Sequence, residues 1–542
     1  MPRLLLILAL AAVAFGPSLV GTFHFDDYYM LNDPIVQASS GWWEVFRLER
    51  TRPLTYLTFW LNYQLGGENP FGYLAVNLLL HLGVVFAAWR VFPRVVAAPA
   101  ALFAVGILAV HPVQAEAVNY IFARATILTT LFCLLAWRSW IDRRLDRSAL
   151  YFAFALLAKE EAAALPLFLV GYELLHHERR DAACHAYKQW LRPWLAMLAL
   201  CGLAAARLIY AATVTKGAGI LYDLGDITPL NYLLTQGRAF WLYARLVLLP
   251  VGLNFDHDFA LSRELDLPTL AAWAALCALI AIAAVRVRKE PAWFWLLGAV
   301  ILLLPTSSFM PLGDLVAERR IYLPLISAAL AIGALLAKLP RPVGIVILLA
   351  AAGLSTQRSL VFRTEETLWR DTVEKSPNKV RPKLQLARAL GAAEPPNRDE
   401  GREEQFALLN EAQQLAPSDP EAATELGVFH LQAGQPRQAL EHFHRALSGT
   451  KRGPSALANW GTAQLMLGAR EEAVEAFDEA LSKDPCQYDA RNNLIYVHRE
   501  EGDLSKALAA ATLPVDCRLP IRQRQALEAA HREITAGANS RE

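Results

Sequence analysis

Long apolar stretches separated by short charged segments dominate residues 1–357, and a polar, amphipathic pattern follows. A helix that crosses a bilayer needs about 20 apolar residues, and bent or half-crossing helices need fewer. Candidate stretches lie at 3–21, 72–92, 96–112, 117–137, 148–159, 161–176, 192–213, 268–285, 292–305, 321–338 and 342–357. The pattern therefore predicts a polytopic membrane bundle of about eleven helical spans.

A further apolar stretch, 230–252, contains Arg238 and Arg245 and decides the predicted topology. The basic residues of the candidate cytoplasmic loops all fall on one side of the membrane only if this stretch makes no net crossing. We therefore interpret it as interfacial or re-entrant, which places the amino terminus inside and both the loop 22–71 and the polar tail outside. A single crossing there would move the tail into the cytoplasm. Residues 1–21 also fit a cleaved signal peptide, which leaves that loop outside.

The polar tail repeats with a period of 34 residues. Small and aromatic residues recur at this spacing: Gly427 with Gly461; Gly434, Gly468 and Gly502; Ala439, Ala473 and Ala507; Phe443 with Phe477. This is the period of the tetratricopeptide repeat, a helix-turn-helix unit that stacks into a solenoid. About four units are predicted. The whole chain is accordingly expected to be all-α, with a transmembrane domain at 1–357, a tetratricopeptide α-solenoid at 358–515, and a C-terminal helix and tail at 516–542.

Composition narrows the class of protein further. Of the 542 residues, 55% are hydrophobic and 19% are charged, which excludes a single soluble domain. The formal net charge of +1 offers no basic field for nucleic acid. Cysteines show no C-x-x-C spacing, but Cys486 and Cys517 are almost one repeat apart. They could form a disulfide in an oxidising compartment or stay free thiols.

Two adjacent carboxylates, Asp26 and Asp27, follow the first predicted span. Their repulsion tends to raise one pKa and leave the other group ionised, which suits a base or a positioning pair; a solvated loop with a capping Asp is the alternative. Farther along, His111, Glu116 and Arg124 lie near the external end of an apolar helix pair, where ionisable residues are costly unless they face a cavity or one another. In a continuous helix Glu116 and Arg124 would share a face, so a structural ion pair is the alternative there.

Cations supply the remaining candidates. Lys159 interrupts an apolar stretch at an external turn, where it could meet an anion or be an ordinary turn charge. Glu318, Arg319 and Arg320 precede another span, and two guanidinium groups can bind a phosphate or snorkel to the headgroups. Such acids and cations suit sugar transfer from a lipid-linked phosphate, in which cations stabilise the departing phosphate and a carboxylate deprotonates an acceptor hydroxyl. The repeats, on the same side, would hold an acceptor polypeptide.

Several motifs follow one another along the chain: FDDYYMLNDP, RPLTYLTFWLNYQLGG, HPVQAEAVNYIFARA, LAKE, LPVGLNFDHD and AERRIYLP, before ETLWRDTVEKSPN leads into the repeats. Their order resembles that of the bacterial relatives of the transmembrane and tetratricopeptide repeat-containing O-mannosyltransferases, which are GT-C glycosyltransferases. The resemblance implies a GT-C-like bundle, a polyprenyl-phosphate or dolichyl-phosphate sugar donor, an extracytoplasmic site, inverting transfer and a Ser or Thr acceptor, with mannose as one candidate sugar.

The resemblance also implies roles for single residues. Asp26 or Asp27 corresponds to the catalytic acid of the first loop, and Glu116 corresponds to a second acid. The residues expected to line the site or contact the donor phosphate are His111, Arg124, Lys159, Glu318, Arg319 and Arg320, although Arg320 stands where the family more often has Tyr. Two acids could hold a divalent cation, with Asp27 as the candidate ligand; a metal-free reaction is the alternative.

The expected location is a bacterial inner membrane with the repeats in the periplasm. A non-catalytic membrane scaffold whose repeats recruit a partner protein is the rival from another class. A glycosyltransferase that acts on a lipid or a surface glycan is the enzymatic rival. A transporter is disfavoured, because the sequence shows neither an intramembrane acidic relay nor an obvious inverted repeat.

Overall fold

The computed structural model describes residues 1–48, 50–177, 183–215, 227–392, 398–449, 452–515 and 517–539. Every regular element within these ranges is helical, which confirms the all-α fold class. The chain forms two compact units. The first, here called the membrane unit, comprises Met1–Asp27 and Trp42–Leu368, and the second, the repeat unit, comprises Tyr28–Gly41 and Trp369–Glu542.

The first part of the chain forms α-helices and single 3-10 turns. The α-helices are Pro2–Phe15, Asp26–Leu31, Pro34–Gln37, Gly41–Glu44, Pro53–Gly66, Pro70–Val91, Ala98–Val110, Ala115–Asn119, Arg124–Ile141, Leu145–Ala158, Leu165–His177, Ala183–Thr215, Pro229–Leu248, Leu267–Arg286, Ala292–Leu303, Leu325–Leu336 and Arg341–Val361. The 3-10 turns are Gly16–Val20, Phe92–Arg94, Pro112–Gln114, Ile121–Ala123, Glu160–Ala164 and Glu318–Ile321.

Ten of the eleven predicted spans each overlap one of these α-helices, and the chain is a multi-pass membrane protein. The remaining span, 117–137, is broken into Ala115–Asn119, the turn Ile121–Ala123 and Arg124–Ile141. Within the described ranges, six helices are long and apolar enough to cross a bilayer: Pro2–Val20, Pro70–Arg94, Ile121–Ile141, Leu191–Ala211, Leu267–Arg286 and Arg341–Val361. A seventh candidate is the pair Ala98–Val110 and Pro112–Asn119, which is bent by 44°. The bend falls at His111, because Pro112 disfavours helical geometry at the residue before it.

The stretch 230–252, predicted to be interfacial or re-entrant, forms the helix Pro229–Leu248 and is not among the six. One face of the helix is buried, including Tyr232 and Tyr243. Arg238 and Arg245 donate hydrogen bonds to the carbonyl oxygens of neighbouring loops, at 3.3 and 2.9 Å. Each of these bonds engages one of the five N–H donors of a guanidinium group with loop backbone.

The repeat unit contains four helix pairs in the part of the chain that the structure describes. The helix Glu365–Lys375 precedes these pairs, and the helix Ile521–Asn539 follows them. The pairs are Val380–Gly391 with Arg398–Leu415, Pro420–Gln432 with Pro436–Leu447, Pro454–Met466 with Arg470–Lys483, and Tyr488–Glu500 with Leu504–Ala511. The predicted tetratricopeptide solenoid is confirmed.

The period of 34 residues has a packing cause. A Cβ atom on Gly427 would lie 2.3 Å from a ring carbon of Phe443, and one on Gly461 would lie 2.7 Å from the corresponding ring carbon of Phe477. Both Phe side chains are fully buried. Glycine at this register therefore allows the two helices of a pair to approach closely around an aromatic ring.

The end of the repeat unit is closed covalently. Cys486 and Cys517, for which the sequence allowed either a disulfide or two free thiols, form a disulfide with a Cα–Cα distance of 5.3 Å. Cys517, Leu527 and Ile534 belong to the same buried cluster as the last repeats. The predicted tail at 516–542 is thus mostly the helix Ile521–Asn539, with residues 516 and 540–542 outside the described ranges. The two compact units divide after Leu368, whereas the predicted domains divide after residue 357.

Candidate active site

The carboxylate of Asp27 is fully buried and is held by backbone N–H groups from two parts of the membrane unit. Oδ2 accepts a hydrogen bond from the N–H of His24 at 2.9 Å, and Oδ1 accepts from the N–H of Phe122 at 2.7 Å. Burial raises the pKa of Asp27 well above its usual range, and the two N–H groups and Arg124 oppose this increase. Asp27 therefore fixes the first loop and presents no carboxylate oxygen to solvent.

Asp26, by contrast, is partly exposed and begins the helix Asp26–Leu31. The preceding Phe25 has a φ of +42°, a strained conformation for a non-glycine residue. The backbone N–H of Asp26 donates to the hydroxyl oxygen of Tyr120 at 3.1 Å. The guanidinium of Arg319 lies 6.0 Å from the centre of the Tyr120 ring. Tyr120 thus joins the aspartate pair to a cation that is distant in the sequence.

Glu116 is fully buried and forms an ion pair with Arg319. The backbone N–H of Arg319 donates to Oε2 of Glu116 at 2.8 Å, and its guanidinium donates to Oε1. The same guanidinium donates to Asp314 at 2.8 Å, and the Arg319 side chain stays 22% exposed. We name the connected residues Asp26, Asp27, Glu116, Tyr120 and Arg319 the acid–arginine cluster.

The alternative ion pair between Glu116 and Arg124 does not form, because the helix is broken between them. Ala115–Asn119 ends at Tyr120, whose backbone is extended with φ −95° and ψ 116°, and the next α-helix begins at Arg124. The buried guanidinium of Arg124 donates instead to neutral oxygens of Thr58, Asn62, Tyr73 and Asn77. These bonds tie three helices together, so Arg124 has a structural role in this geometry.

Arg320 and His111 are likewise engaged by protein groups. Arg320 is buried and donates to the hydroxyl of Tyr232 at 3.0 Å and to two backbone carbonyls, so it neither snorkels nor offers a free phosphate ligand. In His111, Nε2 donates to the carbonyl of Val247 at 2.9 Å, and Nδ1 accepts from the N–H of Val113 at 3.2 Å. Both side chains position backbone near the cluster.

Glu318 lies beside Arg319 and brings in two residues that the sequence analysis did not assign. Its Oε1 accepts from the N–H of Asn254 at 2.5 Å and from Nε2 of His257 at 2.9 Å. The intervening Phe255 ring lies edge-on to Tyr120 with 5.2 Å between centroids. The signal was present in the motif LPVGLNFDHD, where polar residues follow directly on an apolar helix.

Lys159 belongs to a second set of charges. Its ammonium donates to Glu161 at 2.8 Å and to the hydroxyl of Thr126 at 2.7 Å. Next to it, Arg52 forms a bidentate pair with Glu160 through bonds of 3.1 and 2.5 Å. Lys159 is therefore paired with an acid, and so is Arg52, which the sequence analysis did not single out and whose side chain is 27% exposed.

Arg52 and Glu160 border a groove of about 250 Å³ in the membrane unit. The other walls are mostly aliphatic, and they include Leu156, Leu200 and Leu203. Arg207 also borders the groove and donates to the carbonyl of Arg47 at 2.8 Å. The groove thus combines an apolar trough with a charged end.

The candidate metal ligand Asp27 does not sit in a cation site. Both of its carboxylate oxygens accept backbone N–H groups. Across the described ranges, no three His, Cys, Asp or Glu side chains are grouped so that they could hold a metal ion. The residues present therefore do not assemble the oxygen-rich coordination that Mg²⁺ or Mn²⁺ prefers.

Comparison with known proteins now bears on this geometry. The tetratricopeptide repeat family model matches residues 424–486 and 458–513. A protein O-mannosyl-transferase of Caenorhabditis elegans is 25% identical over 428 residues, which are 72% of this chain and 60% of that protein. The protein O-mannosyl-transferase Tmtc3 of Drosophila melanogaster is 28% identical over 411 residues, 59% of this chain and 44% of that protein. In sequence the chain is similar to proteins that are named protein O-mannosyl-transferases.

The chain spans 60% and 44% of the lengths of these two relatives. Among solved structures, ArnT from Cupriavidus metallidurans, bound to undecaprenyl phosphate, covers 91% of this chain and 80% of its own length at 13% identity. The TM-score of 0.39 is too low to establish a common fold. The relationship to the protein O-mannosyl-transferases therefore rests on sequence.

Proposed function

We propose that this chain is a membrane glycosyltransferase that moves a sugar from a polyprenyl-phosphate donor to Ser or Thr hydroxyl groups of extracytoplasmic proteins. Its relatives are named protein O-mannosyl-transferases, which makes mannose the first sugar to test. The acid–arginine cluster is the observation that carries the proposal. It combines a partly exposed carboxylate with a partly exposed guanidinium that is held by two acids.

In the proposed reaction Asp26 is the base. It is the member of the aspartate pair that reaches solvent, whereas Asp27 is fully buried and anchors the loop. An acceptor hydroxyl oxygen attacks the anomeric carbon and the bond from that carbon to the phosphate oxygen breaks, with its electron pair leaving on the polyprenyl phosphate. The hydroxyl proton passes to the Asp26 carboxylate. Attack opposite the leaving group inverts the anomeric centre.

Arg319 would stabilise the charge on the departing phosphate. Its guanidinium is fixed by Glu116 and Asp314, so little reorganisation is needed when negative charge develops. Glu318, bonded to His257 and Asn254, supports the turn from which Arg319 projects. The positions of these groups support an electrostatic role for Arg319 better than one for the fully bonded Arg320.

The groove beside Arg52 is the place we propose for the donor lipid. A polyprenyl phosphate needs an apolar trough for the chain and a cation for the head, and this groove has both. A larger groove of about 300 Å³ is lined by residues that include Phe240 and Ile332, but none of its lining side chains carries a charge. Arg52, in exchange for its bonds to Glu160, is therefore the proposed cation for the phosphate of the bound donor, and Arg319 is the proposed cation for the charge that develops during transfer.

The disulfide supports an extracytoplasmic repeat unit. Disulfides persist in the periplasm and outside the cell, whereas the cytosol keeps thiols reduced. The bond between Cys486 and Cys517 thus favours the same side of the membrane as lipid-linked sugars that serve secreted proteins. We propose that the solenoid holds the acceptor polypeptide there, as such repeats commonly bind peptides on a concave surface.

The test is a comparison of three chains expressed in a host that lacks this protein: wild type, Asp26→Asn and Glu68→Gln. Glu68 is an exposed acid of the same loop and serves as the matched control. Mass spectrometry of extracytoplasmic proteins should find hexose on Ser or Thr with wild type and Glu68→Gln. With Asp26→Asn the modification should fall at least about 100-fold, as for loss of a proton acceptor.

Two outcomes would contradict the proposal. Equal glycosylation by Asp26→Asn and wild type would remove Asp26 from the chemistry. A host proteome that does not change with any of the three chains, while the repeat unit still captures a partner protein, would favour the scaffold function instead. Membrane insertion of all three chains is checked in parallel by protease protection.

A further inference from the structure

The segment that follows the two aspartates is part of the repeat unit, although it lies in the first loop of the sequence. Tyr28–Gly41 groups with Trp369–Glu542, whereas Asp26 and Asp27 group with the membrane unit. The helix Asp26–Leu31 carries the chain from one unit into the other. Anything that holds the second half of this helix therefore acts on residues one helical turn away from the acids.

The residues of this segment are well anchored. Met30 and Val36 are fully buried, and the carboxylate of Asp33 is fully buried as well. Asp33 Oδ1 accepts from the N–H of Ile35 at 3.0 Å, which caps the helix Pro34–Gln37. A cationic partner stabilises an ionised carboxylate that lies away from water.

Arg518 is that partner. Its guanidinium lies 3.3 Å from Oδ2 of Asp33 and 4.2 Å from the centre of the Tyr29 ring. The amide of Gln37 adds a bond of 3.5 Å to the carbonyl of Leu519. The guanidinium thus contacts the first half of the segment at two residues, through an ion pair with Asp33 and a cation–π contact with Tyr29.

Arg518 is itself held by its neighbours in the chain. Cys517 is fully buried and bonded to Cys486, and Leu519 is buried in the same cluster as the last repeats. The carbonyl of Cys517 accepts from Arg524 at 2.5 Å. Because Cys517 and Leu519 are both buried, the backbone of Arg518 is held in place while its side chain contacts Tyr29 and Asp33.

We propose that Arg518 is a positioning residue for the aspartate pair, acting through the helix Asp26–Leu31 and held by the Cys486–Cys517 disulfide. The inference rests on the proposed function for the role of Asp26 and Asp27. It adds that Arg518 holds the helix at whose start the acids lie.

The test uses the purified full chain in detergent, with Arg518→Ala, the conservative Arg518→Lys and the matched control Arg522→Ala, an exposed arginine of the following helix. Hydrogen exchange of residues 28–37 should be at least roughly tenfold faster in Arg518→Ala, with exchange of Leu504–Ala511 unchanged. Sugar transfer should lose about tenfold in kcat while the donor KM stays within about twofold, as expected for misplaced acids. Arg518→Lys should recover part of both effects, and Arg522→Ala should match wild type.

A second set of variants tests the role of the disulfide. Cys486→Ser/Cys517→Ser should also accelerate exchange of residues 28–37, and the control Cys201→Ser/Cys277→Ser, which removes two free thiols, should not. Unchanged exchange in Arg518→Ala would overturn the inference, as would faster exchange with an unaltered kcat. A wild-type chain without transferase activity would overturn the proposed function alone, since the exchange measurement still decides whether Arg518 holds the segment.

Discussion

The membrane unit and the helix pairs of the solenoid hold their buried groups together over very different sequence distances. In the membrane unit, Glu116 bonds to Arg319 across 203 residues and Asp27 bonds to Phe122 across 95 residues. In the repeat unit, Gly427 receives the ring of Phe443 from the next helix of the same pair. Contacts between neighbouring helices produce a repeating pattern in the sequence, from which the fold can be predicted. Contacts between residues far apart in the sequence produce no such pattern, so the site cannot be predicted in this way.

The largest expected effect is the loss of stability when a buried ion pair of the membrane unit is broken. Arg319→Met should destabilise the membrane unit by about 3–5 kcal/mol, because it leaves Glu116 fully buried without its partner. The double variant Glu116→Gln/Arg319→Met should recover part of this loss. Thermal unfolding of the detergent-purified chain measures both.

The matched pair in the repeat unit is Arg370 and Glu404, whose side chains are 47% and 40% exposed. Arg370→Met should cost no more than about 1 kcal/mol, since solvent screens exposed pairs. Equal losses of unfolding free energy in Arg319→Met and Arg370→Met would show that burial of an ion pair does not determine how much the pair contributes to stability.

The close helix approach in the repeat unit predicts the next effect. Gly427→Ala should destabilise the solenoid by about 1–3 kcal/mol, because the added methyl group meets the Phe443 ring. Gly449→Ala is the control, since nothing lies within 4 Å of its Cβ position. Hydrogen exchange of Pro420–Gln432 should report the loss, and a Gly427→Ala chain that exchanges like wild type would refute the packing argument.

The charged groove of the membrane unit predicts an effect on binding. Arg52→Ala should raise the KM for a polyprenyl-phosphate sugar about tenfold with little change in kcat, because it removes the cation at the groove mouth. Arg52→Lys keeps the charge and should fall in between. Initial rates over a range of donor concentrations separate these cases, and an unchanged KM in Arg52→Ala would exclude the groove.

The smallest expected effect is a dependence of solenoid stability on pH. Burial, followed by Coulombic interactions with Arg445 and with His430, lowers the pKa of His442 to about 4 from its usual 6.5. The folded state favours the neutral ring, so its contribution is fully present above pH 6.5 and is lost as the pH falls towards 4. His442→Gln should weaken this acid sensitivity in melting curves between pH 7.5 and 5. Parallel curves for the two chains would refute the assignment.

Sequence patterns were sufficient for elements whose causes are local. The repeat register predicts which glycines face aromatic rings and brings Cys486 near Cys517. The aspartate pair stood out because two acids follow directly on an apolar helix. Each of these features depends on residues within about one repeat of one another.

Partners across the site could not be predicted in the same way. A continuous helix would have paired Glu116 with Arg124, but the extended backbone at Tyr120 turns them apart and leaves Glu116 to Arg319. Likewise, the spacing gave no reason to join Glu318 to His257 across 61 residues. Such pairs depend on how the helices cross, which one-dimensional periodicity does not contain.

The hydrogen bonds of Arg124 have an electrostatic consequence. Every oxygen that accepts from its guanidinium is neutral, so these bonds spread the positive charge without cancelling it. The nearby Asp27 feels that charge, which opposes part of the pKa increase that burial imposes. A cation in the interior of the bundle thus offsets a small part of the free-energy cost of ionising a buried acid in the first loop, although burial remains the larger effect.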